Sequence, residues 1–148
     1  MKVSLKTTYG ILAAVDLANQ SNMVPVQARL IAKRQGIPAR FLEQVLHALK
    51  KAGLVSSLRG AQGGYVLSKK PSELSVAEVF EAIDGPYFPV AGGNSGSGRR
   101  MEKSEALLAQ VWNRVQAAER DVLEAITIED LAKQQRQLEQ QRTLMYHI

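Results

Sequence analysis

Four polar side chains recur at steps of three, one and three residues in the middle of the chain: Arg40, Glu43, Gln44 and His47. At helical spacing they share one face, so a helix here would present them together. An arginine donates to guanine or to phosphate, a carboxylate accepts from the amino group of cytosine, and an amide pairs with adenine. The spacing therefore predicts base contacts by Arg40, Glu43 and Gln44. The alternative is a solvated face on which Glu43 pairs with Arg40 or His47.

Basic residues on and beside the same segment suit the sugar–phosphate backbone. The predicted phosphate contacts are Arg34, His47, Lys50 and Lys51, because most protein contacts to DNA phosphates come from side chains of this kind. The other histidine, His147, is 100 residues away in the sequence from His47. We therefore expect no histidine-based metal site.

The stretch "VSSLRGAQGGYVLSKK", Val55 to Lys70, places a single arginine beside a glycine-rich tip. Its β-branched and aromatic arms predict a hairpin, with Gly60, Gly63 and Gly64 forming the turn. A slender tip of this kind can enter the minor groove, where narrow A·T-rich DNA attracts arginine. Arg59 is therefore the fourth predicted base contact.

Hydrophobic periodicity predicts the elements that must position these residues. The predicted helices cover residues 7–19, 26–35 and 39–52, the strands 54–58 and 65–68, and a fourth helix begins at Val76. Ser75 and Glu78 have the spacing of a capping box for that helix. Helix, helix, turn, helix and hairpin is the order of a winged helix-turn-helix. The predicted fold is mainly α, with a small β-hairpin wing and a long dimerisation helix.

The C-terminal half has a different pattern. Residues 85–101 are rich in Gly, Pro, Asn and Ser, which predicts a flexible loop between a DNA-binding head, 1–84, and a C-terminal part, 102–148. A long helix is predicted from Glu102 to about Ile126, followed by a last helix that begins with Thr127 and Asp130. The apolar seam of the long helix, predicted to pack against a second copy, is Leu108, Val111, Trp112, Val115 and Val122.

Charge divides the chain in the same way. Residues 1–70 hold 11 Lys and Arg against two acidic residues, a net charge of +9, whereas residues 71–148 carry −4. A basic head on an acidic remainder is typical of a protein that binds nucleic acid with one part and assembles through another.

Composition excludes several classes of function. The 148 residues include no Cys, so disulfides, thiolate ligands and a cysteine nucleophile are excluded. No apolar stretch approaches the roughly 20 residues of a membrane span, and no signal-like segment is visible. We expect a soluble, cytoplasmic protein without a membrane partner. No Ser, His and acid constellation or paired-carboxylate site stands out, so we do not expect an enzyme.

Four stretches resemble the Rrf2 family of dimeric bacterial transcription regulators, the IscR, NsrR and CymR type. They are "YGILAAVDLA", "IAKRQGIPARFLEQVLHALKKAGLVSSLRGAQGGYVLSK", "LSVAEVFEAIDG" and "ITIEDLA". The resemblance implies that Glu43 and its neighbours touch bases, that Arg59 enters the minor groove, and that the long helix makes the homodimer. Two half-sites on an imperfect palindrome would then follow from the two-fold axis.

The chain departs from the family in one respect. Cluster-bearing members place three cysteines between the fourth helix and the long helix, where this sequence has Gly, Asn, Ser and Arg. Because iron–sulfur clusters are held by thiolates, we predict no cofactor. The clusterless members suggest a small-molecule or protein effector instead.

We therefore expect a homodimeric, sequence-specific regulator of double-stranded DNA, acting as a repressor. Two alternatives remain open from the sequence. One is a protein-interaction adaptor whose loop and C-terminal helices dock an enzyme. The other is a cluster-dependent sensor with ligands other than cysteine.

Overall fold

The computed structural model describes residues 2–20, 24–85 and 99–146. Its elements in these ranges are α1 (Leu5–Asn19), α2 (Ala28–Gln35), α3 (Ala39–Lys51), β1 (Val55–Leu58), β2 (Gly64–Leu67), a 3-10 turn (Pro71–Glu73), α4 (Val76–Asp84), α5 (Arg99–Ala125) and α6 (Ile128–Tyr146). This order confirms the predicted fold class, mainly helical with one hairpin wing. None of the helices in these ranges contains an apolar stretch that could span a lipid bilayer.

The core of the head forms where α1 packs against α3, α4 and α6. The inward stripe of α3 consists of Leu42, Val45, Leu46 and Leu49, each no more than 1% exposed. Because these positions recur at helical spacing, burying them turns the polar residues of α3 outward. The fold thereby fixes which face of α3 is available for recognition.

The start of α2 differs from the prediction. The helix begins at Ala28 rather than at residue 26, because Val26 is paired with Tyr65 of β2. The Val26 N–H donates to the Tyr65 carbonyl at 2.9 Å, and the Tyr65 N–H donates to the Val26 carbonyl at 2.8 Å. These two bonds satisfy backbone groups that a helix would have paired elsewhere, and they attach the base of the wing to the chain that precedes α2.

The wing is a two-stranded antiparallel hairpin in which Val55 pairs with Leu67 and Leu58 pairs with Gly64. Its tip is closed by a hydrogen bond from the Gly63 N–H to the Gly60 carbonyl, 3.0 Å. A Cβ at Gly64 would lie 2.4 Å from the carbonyl oxygen of Val26. Glycine is therefore required there, because the backbone of the Val26 bridge approaches too closely for any side chain.

Reciprocal side-chain caps begin α4 and α6. Ser75 and Glu78 form the predicted capping box of α4. At α6, the Asp130 N–H donates to Thr127 Oγ1 at 3.1 Å and the Thr127 N–H donates to Asp130 Oδ2 at 3.0 Å. Backbone bonds between residues 74–76 and 126–128 hold the two caps side by side. As a result, Ile128 is fully buried in the core of the head.

The long helix α5 begins at Arg99, three residues before the predicted start, and contacts α4. Its 27 residues correspond to a length of about 40 Å at 1.5 Å per residue. Most of the predicted flexible loop, 86–98 of 85–101, lies outside the described residues.

Candidate nucleic-acid interface

The outward side of α3 presents all four side chains that its spacing selected. Arg40, Glu43, Gln44 and His47, which we call the recognition face, are exposed. Glu43 has no ion pair within residues 2–20, 24–85 and 99–146, so the alternative in which Arg40 or His47 neutralises it is not formed. The face combines a cation, a carboxylate, an amide and an imidazole that are available to an external partner.

Two aromatic rings that the sequence reasoning missed support this face. The guanidinium carbon of Arg40 lies 4.8 Å from the centroid of the Phe41 ring. The Phe41 ring in turn lies 5.9 Å from the ring of Tyr9 on α1. A guanidinium over an aromatic face is attracted to it and loses rotamer freedom. Arg40 is therefore partly preorganised, and the adjacent "RF" pair was the available sequence signal.

The C-terminal turn of α3 carries Lys50 and Lys51, both exposed. Their charges lie where the helix dipole is negative, a position that favours cations. The wing presents Arg59 beside its tip, also exposed, together with Leu58, which is 53% exposed. Within the described part of the chain, no hydrogen bond or ion pair ties down Arg59. Its donors are available to a ligand in the same way as those of Lys50 and Lys51.

The fourth predicted phosphate contact, Arg34, forms an ion pair with a buried carboxylate of the protein. Its Nε donates to Asp16 Oδ1 at 3.0 Å and its Nη2 donates to Asp16 Oδ2 at 2.8 Å. The Asp16 side chain is only 2% exposed, against 38% for Arg34. The hydrogen bond to Asp16 outweighs the opposing effect of burial and raises the pKa of Arg34 above its usual value. Arg34 thus fixes α2 to α1, and Nη1 is its one nitrogen not bonded to Asp16.

A chain of side-chain amides continues from this ion pair to α6. Gln35 Nε2 donates to Asp16 Oδ1 at 3.0 Å, and Gln135 Nε2 donates to Gln35 Oε1 at 3.2 Å. Asn19 Nδ2 donates to Gln135 Oε1 at 2.9 Å, and Arg136 Nη1 donates to Asn19 Oδ1 at 2.8 Å. We call Asp16, Arg34, Gln35 and Gln135 the Asp16 network. Its one visible signal in the sequence was Asp16, the only acidic residue of α1.

The apolar seam of α5 lies open in the single chain. Leu108, Val111, Trp112, Val115 and Val122 are between 45% and 59% exposed. One side of the C-terminal end of α5 is covered, because Leu123 packs against the core of the head. An exposed apolar row of this length is typical of surfaces through which proteins associate.

An iron site is not supported by the residues that are described. The chain has no Cys, and no group of three or more His, Asp or Glu residues with metal-binding geometry occurs among residues 2–20, 24–85 and 99–146. Iron–sulfur clusters need several ligands, usually thiolates, so the described residues do not fit such a cluster.

Comparison with known proteins gives a family match over most of the chain. The model of the family Rrf2, described as "Iron-dependent Transcriptional regulator", matches residues 3–134. The chain is 34% identical over 132 residues to the HTH-type transcriptional regulator CymR of Bacillus subtilis, covering 89% of this chain and 90% of CymR. It is 44% identical over 84 residues to IscR of Escherichia coli, covering 57% of this chain and 52% of IscR.

Solved structures agree with the sequence comparison. The structure of CymR from B. subtilis has a TM-score of 0.73 at 32% identity, covering 90% of this chain and 97% of that one. The structure of IscR from T. potens has a TM-score of 0.70 at 35% identity, covering 90% and 88% of the two chains.

Proposed function

Because this chain belongs to the Rrf2 family of helix-turn-helix transcriptional regulators, which bind DNA, we propose that it binds a palindromic operator as a homodimer and represses transcription. In this proposal α3 lies in the major groove and the wing tip lies in the minor groove. Neither the adaptor nor the cluster-dependent sensor is favoured by any relative described above.

The observation that carries this proposal is the recognition face. It lies on the outer side of a helix whose other side is buried, so the helix can enter a major groove while staying attached to the core. Arg40 would donate to a guanine edge, Glu43 would accept from a cytosine amino group, and Gln44 would pair with adenine. The stacking of Arg40 on Phe41 reduces the entropy lost on binding.

The wing and the end of α3 would hold the DNA on either side of that helix. Arg59 would enter the minor groove from the wing, because Gly60, Gly63 and Gly64 leave no side chains at those positions of the tip to obstruct it. His47, Lys50 and Lys51 would bind phosphates and set the register of α3. The net charge of +9 over residues 1–70 supports this surface electrostatically.

Homodimerisation would occur through the α5 seam. Five partly exposed apolar side chains in one row can be buried at once by the same row of a second copy. A two-fold axis then presents two recognition helices, which requires two inverted half-sites in the operator. A dimer bound across a promoter represses by excluding other proteins from the same DNA, so repression needs no further surface. Because the chain has no Cys, we infer that its effector is not an iron–sulfur cluster but a small molecule or a protein.

The experiment that tests this function is fluorescence anisotropy with DNA from upstream of the gene and with a scrambled duplex, each at two salt concentrations. We expect the upstream DNA to bind at least about a hundredfold more tightly. Arg59→Ala and Glu43→Ala should each reduce that preference, by about 1–3 kcal/mol for a lost base contact.

Matched controls separate base contacts from general charge. Lys133→Ala removes a positive charge and Glu139→Ala a negative charge from α6, on exposed positions away from the recognition face. Both variants should keep the preference of the wild type. Equal binding to both duplexes would contradict sequence-specific regulation through this DNA, and a preference unaffected by Glu43→Ala would remove α3 from base readout.

A further inference from the structure

The Asp16 network occupies the end of α2 that leads into the recognition helix. Arg34 and Gln35 are the last two residues of α2, and α3 begins four residues after Gln35, at Ala39. Only the short turn of Gly36, Ile37 and Pro38 separates the two helices. The Ile37 N–H donates to the carbonyl of Ala32 at 3.0 Å, so the turn is built directly on α2. A displacement at the end of α2 would therefore reach the start of α3.

The contacts of Arg34 favour a structural ion pair over a contact to a DNA phosphate. Two nitrogens of its guanidinium bind the two oxygens of one carboxylate, an arrangement that restricts both distance and orientation. That carboxylate is buried on α1, and an unpaired buried charge is unfavourable. Releasing Arg34 to reach a phosphate would leave Asp16 with Gln35 as its remaining partner in this network.

The same network makes α6 part of the support for α2. Gln135 links α6 to both of the other helices, since it donates to Gln35 of α2 and accepts from Asn19 of α1. It lies 100 residues from Gln35 in the sequence and outside the predicted DNA-binding head. The first turns of α6 are anchored in the core by Ile128 and Ala132. The position of Gln135 is therefore set by a part of α6 that is packed in the core.

We propose that Arg34 is a positioning residue that orients the recognition helix by fixing the end of α2 to Asp16, and that Gln135 extends this support to α6. This inference rests on the proposed DNA-binding function. It replaces the predicted phosphate contact of Arg34 with an indirect role.

Salt dependence of DNA binding distinguishes the two roles. The slope of log affinity against log salt concentration is negative, and each lost phosphate contact reduces its magnitude by about 0.9. A lost positioning contact that leaves the phosphate contacts of Lys50 and Lys51 in place does not change that slope. We would measure the slope by anisotropy for the wild type, Arg34→Gln, Arg34→Lys and Asp16→Asn. Lys50→Gln serves as a positive control for a phosphate contact.

Positioning predicts at least a roughly fivefold loss of affinity for the upstream DNA in Arg34→Gln and in Asp16→Asn, with unchanged slopes. Arg34→Lys should show the same loss of affinity, because a lysine ammonium cannot form the two parallel hydrogen bonds of a guanidinium to the Asp16 carboxylate. The double variant Asp16→Asn/Arg34→Gln should be no weaker than the weaker single variant. A phosphate contact predicts the opposite: a smaller slope for Arg34→Gln, binding retained in Arg34→Lys, and no effect of Asp16→Asn.

Gln135→Ala tests the link to α6 with a milder change that leaves the buried ion pair intact. We expect a measurable loss of affinity at an unchanged slope, with Gln140→Ala on the exposed part of α6 as its control. Affinity equal to the wild type would contradict the role of α6.

Hydrogen exchange of the free protein provides a readout that does not need DNA. Faster exchange of the Gly36 and Ile37 amides in Asp16→Asn, without a change in the amides of α4, supports positioning. Unchanged exchange overturns it. If the wild type fails to distinguish DNA sequences, the proposed function fails, and this measurement still decides whether the network orders the turn.

Discussion

Truncation of Trp112 to alanine should weaken the proposed dimer more than any other single change in the α5 seam. The Trp112 side chain is 59% exposed in the single chain. Since full burial of a tryptophan covers about 150–250 Å², its exposed part offers about 90–150 Å² to a partner. At about 25 cal/mol per Å², covering this area stabilises the dimer by about 2–4 kcal/mol per copy.

Two copies each contribute one Trp112, which gives an upper bound of about 4–8 kcal/mol per dimer. Alanine keeps part of the contact, and the cost of ordering side chains reduces the measured value. We therefore expect Trp112→Ala to raise the dimer dissociation constant by at least about a hundredfold, which corresponds to about 2.7 kcal/mol.

Sedimentation equilibrium over a range of protein concentrations measures this constant directly. Leu144→Ala is the matched control, because Leu144 is an apolar side chain of α6 with 66% exposure that lies outside the seam. Circular dichroism confirms that both variants remain folded. A dissociation constant of Trp112→Ala within about threefold of the wild type would refute the assignment of this seam as the dimer interface.

Three further perturbations test the fold that positions the site. Gly64→Ala places a Cβ against the backbone of Val26; urea unfolding should show a loss of about 1–3 kcal/mol, together with weaker DNA binding. Leu46→Ala truncates a fully buried side chain of α3 and should lower the free energy of unfolding by about 2–5 kcal/mol in the same assay. Burial raises the pKa of Glu78, but hydrogen bonds from Lys69 and the Ser75 backbone outweigh it and leave that pKa below its usual value. The ionised carboxylate therefore stabilises the fold above about pH 4.3, and this stability is lost as the pH falls through the folded pKa. Glu78→Gln should flatten that loss in urea midpoints measured from pH 3 to 7, and an unchanged profile would contradict the assignment.

The elements that carry the recognition residues follow from local signals. The stripe of Leu42, Val45, Leu46 and Leu49 repeats at helical spacing, and it fixes both the helix and its outward face. The capping box of Ser75 and Glu78 likewise needs only four consecutive residues. These features were predictable because each is determined within one or two turns of chain.

Features that depend on distant partners were not predictable in the same way. Val26 extends a helix-like pattern, yet its backbone pairs with Tyr65, 39 residues later. The Gln-rich middle of α6 gave no indication that Gln135 would meet Gln35. In both cases the local preference is weak, and a tertiary contact determines the outcome.

Arg34 and Arg59 show why the residue type alone does not assign a role. Both are exposed arginines in the basic head, and both suit a phosphate or a minor groove by composition. The structure separates them by their partners: Arg34 binds a buried carboxylate with two nitrogens, whereas Arg59 has no partner among the described residues. Since a guanidinium already satisfied inside the fold must give up those bonds to bind DNA, Arg59 is the stronger candidate for direct contact. The same criterion favours Lys50 and Lys51 as phosphate contacts and assigns Arg34 to the support of the recognition helix.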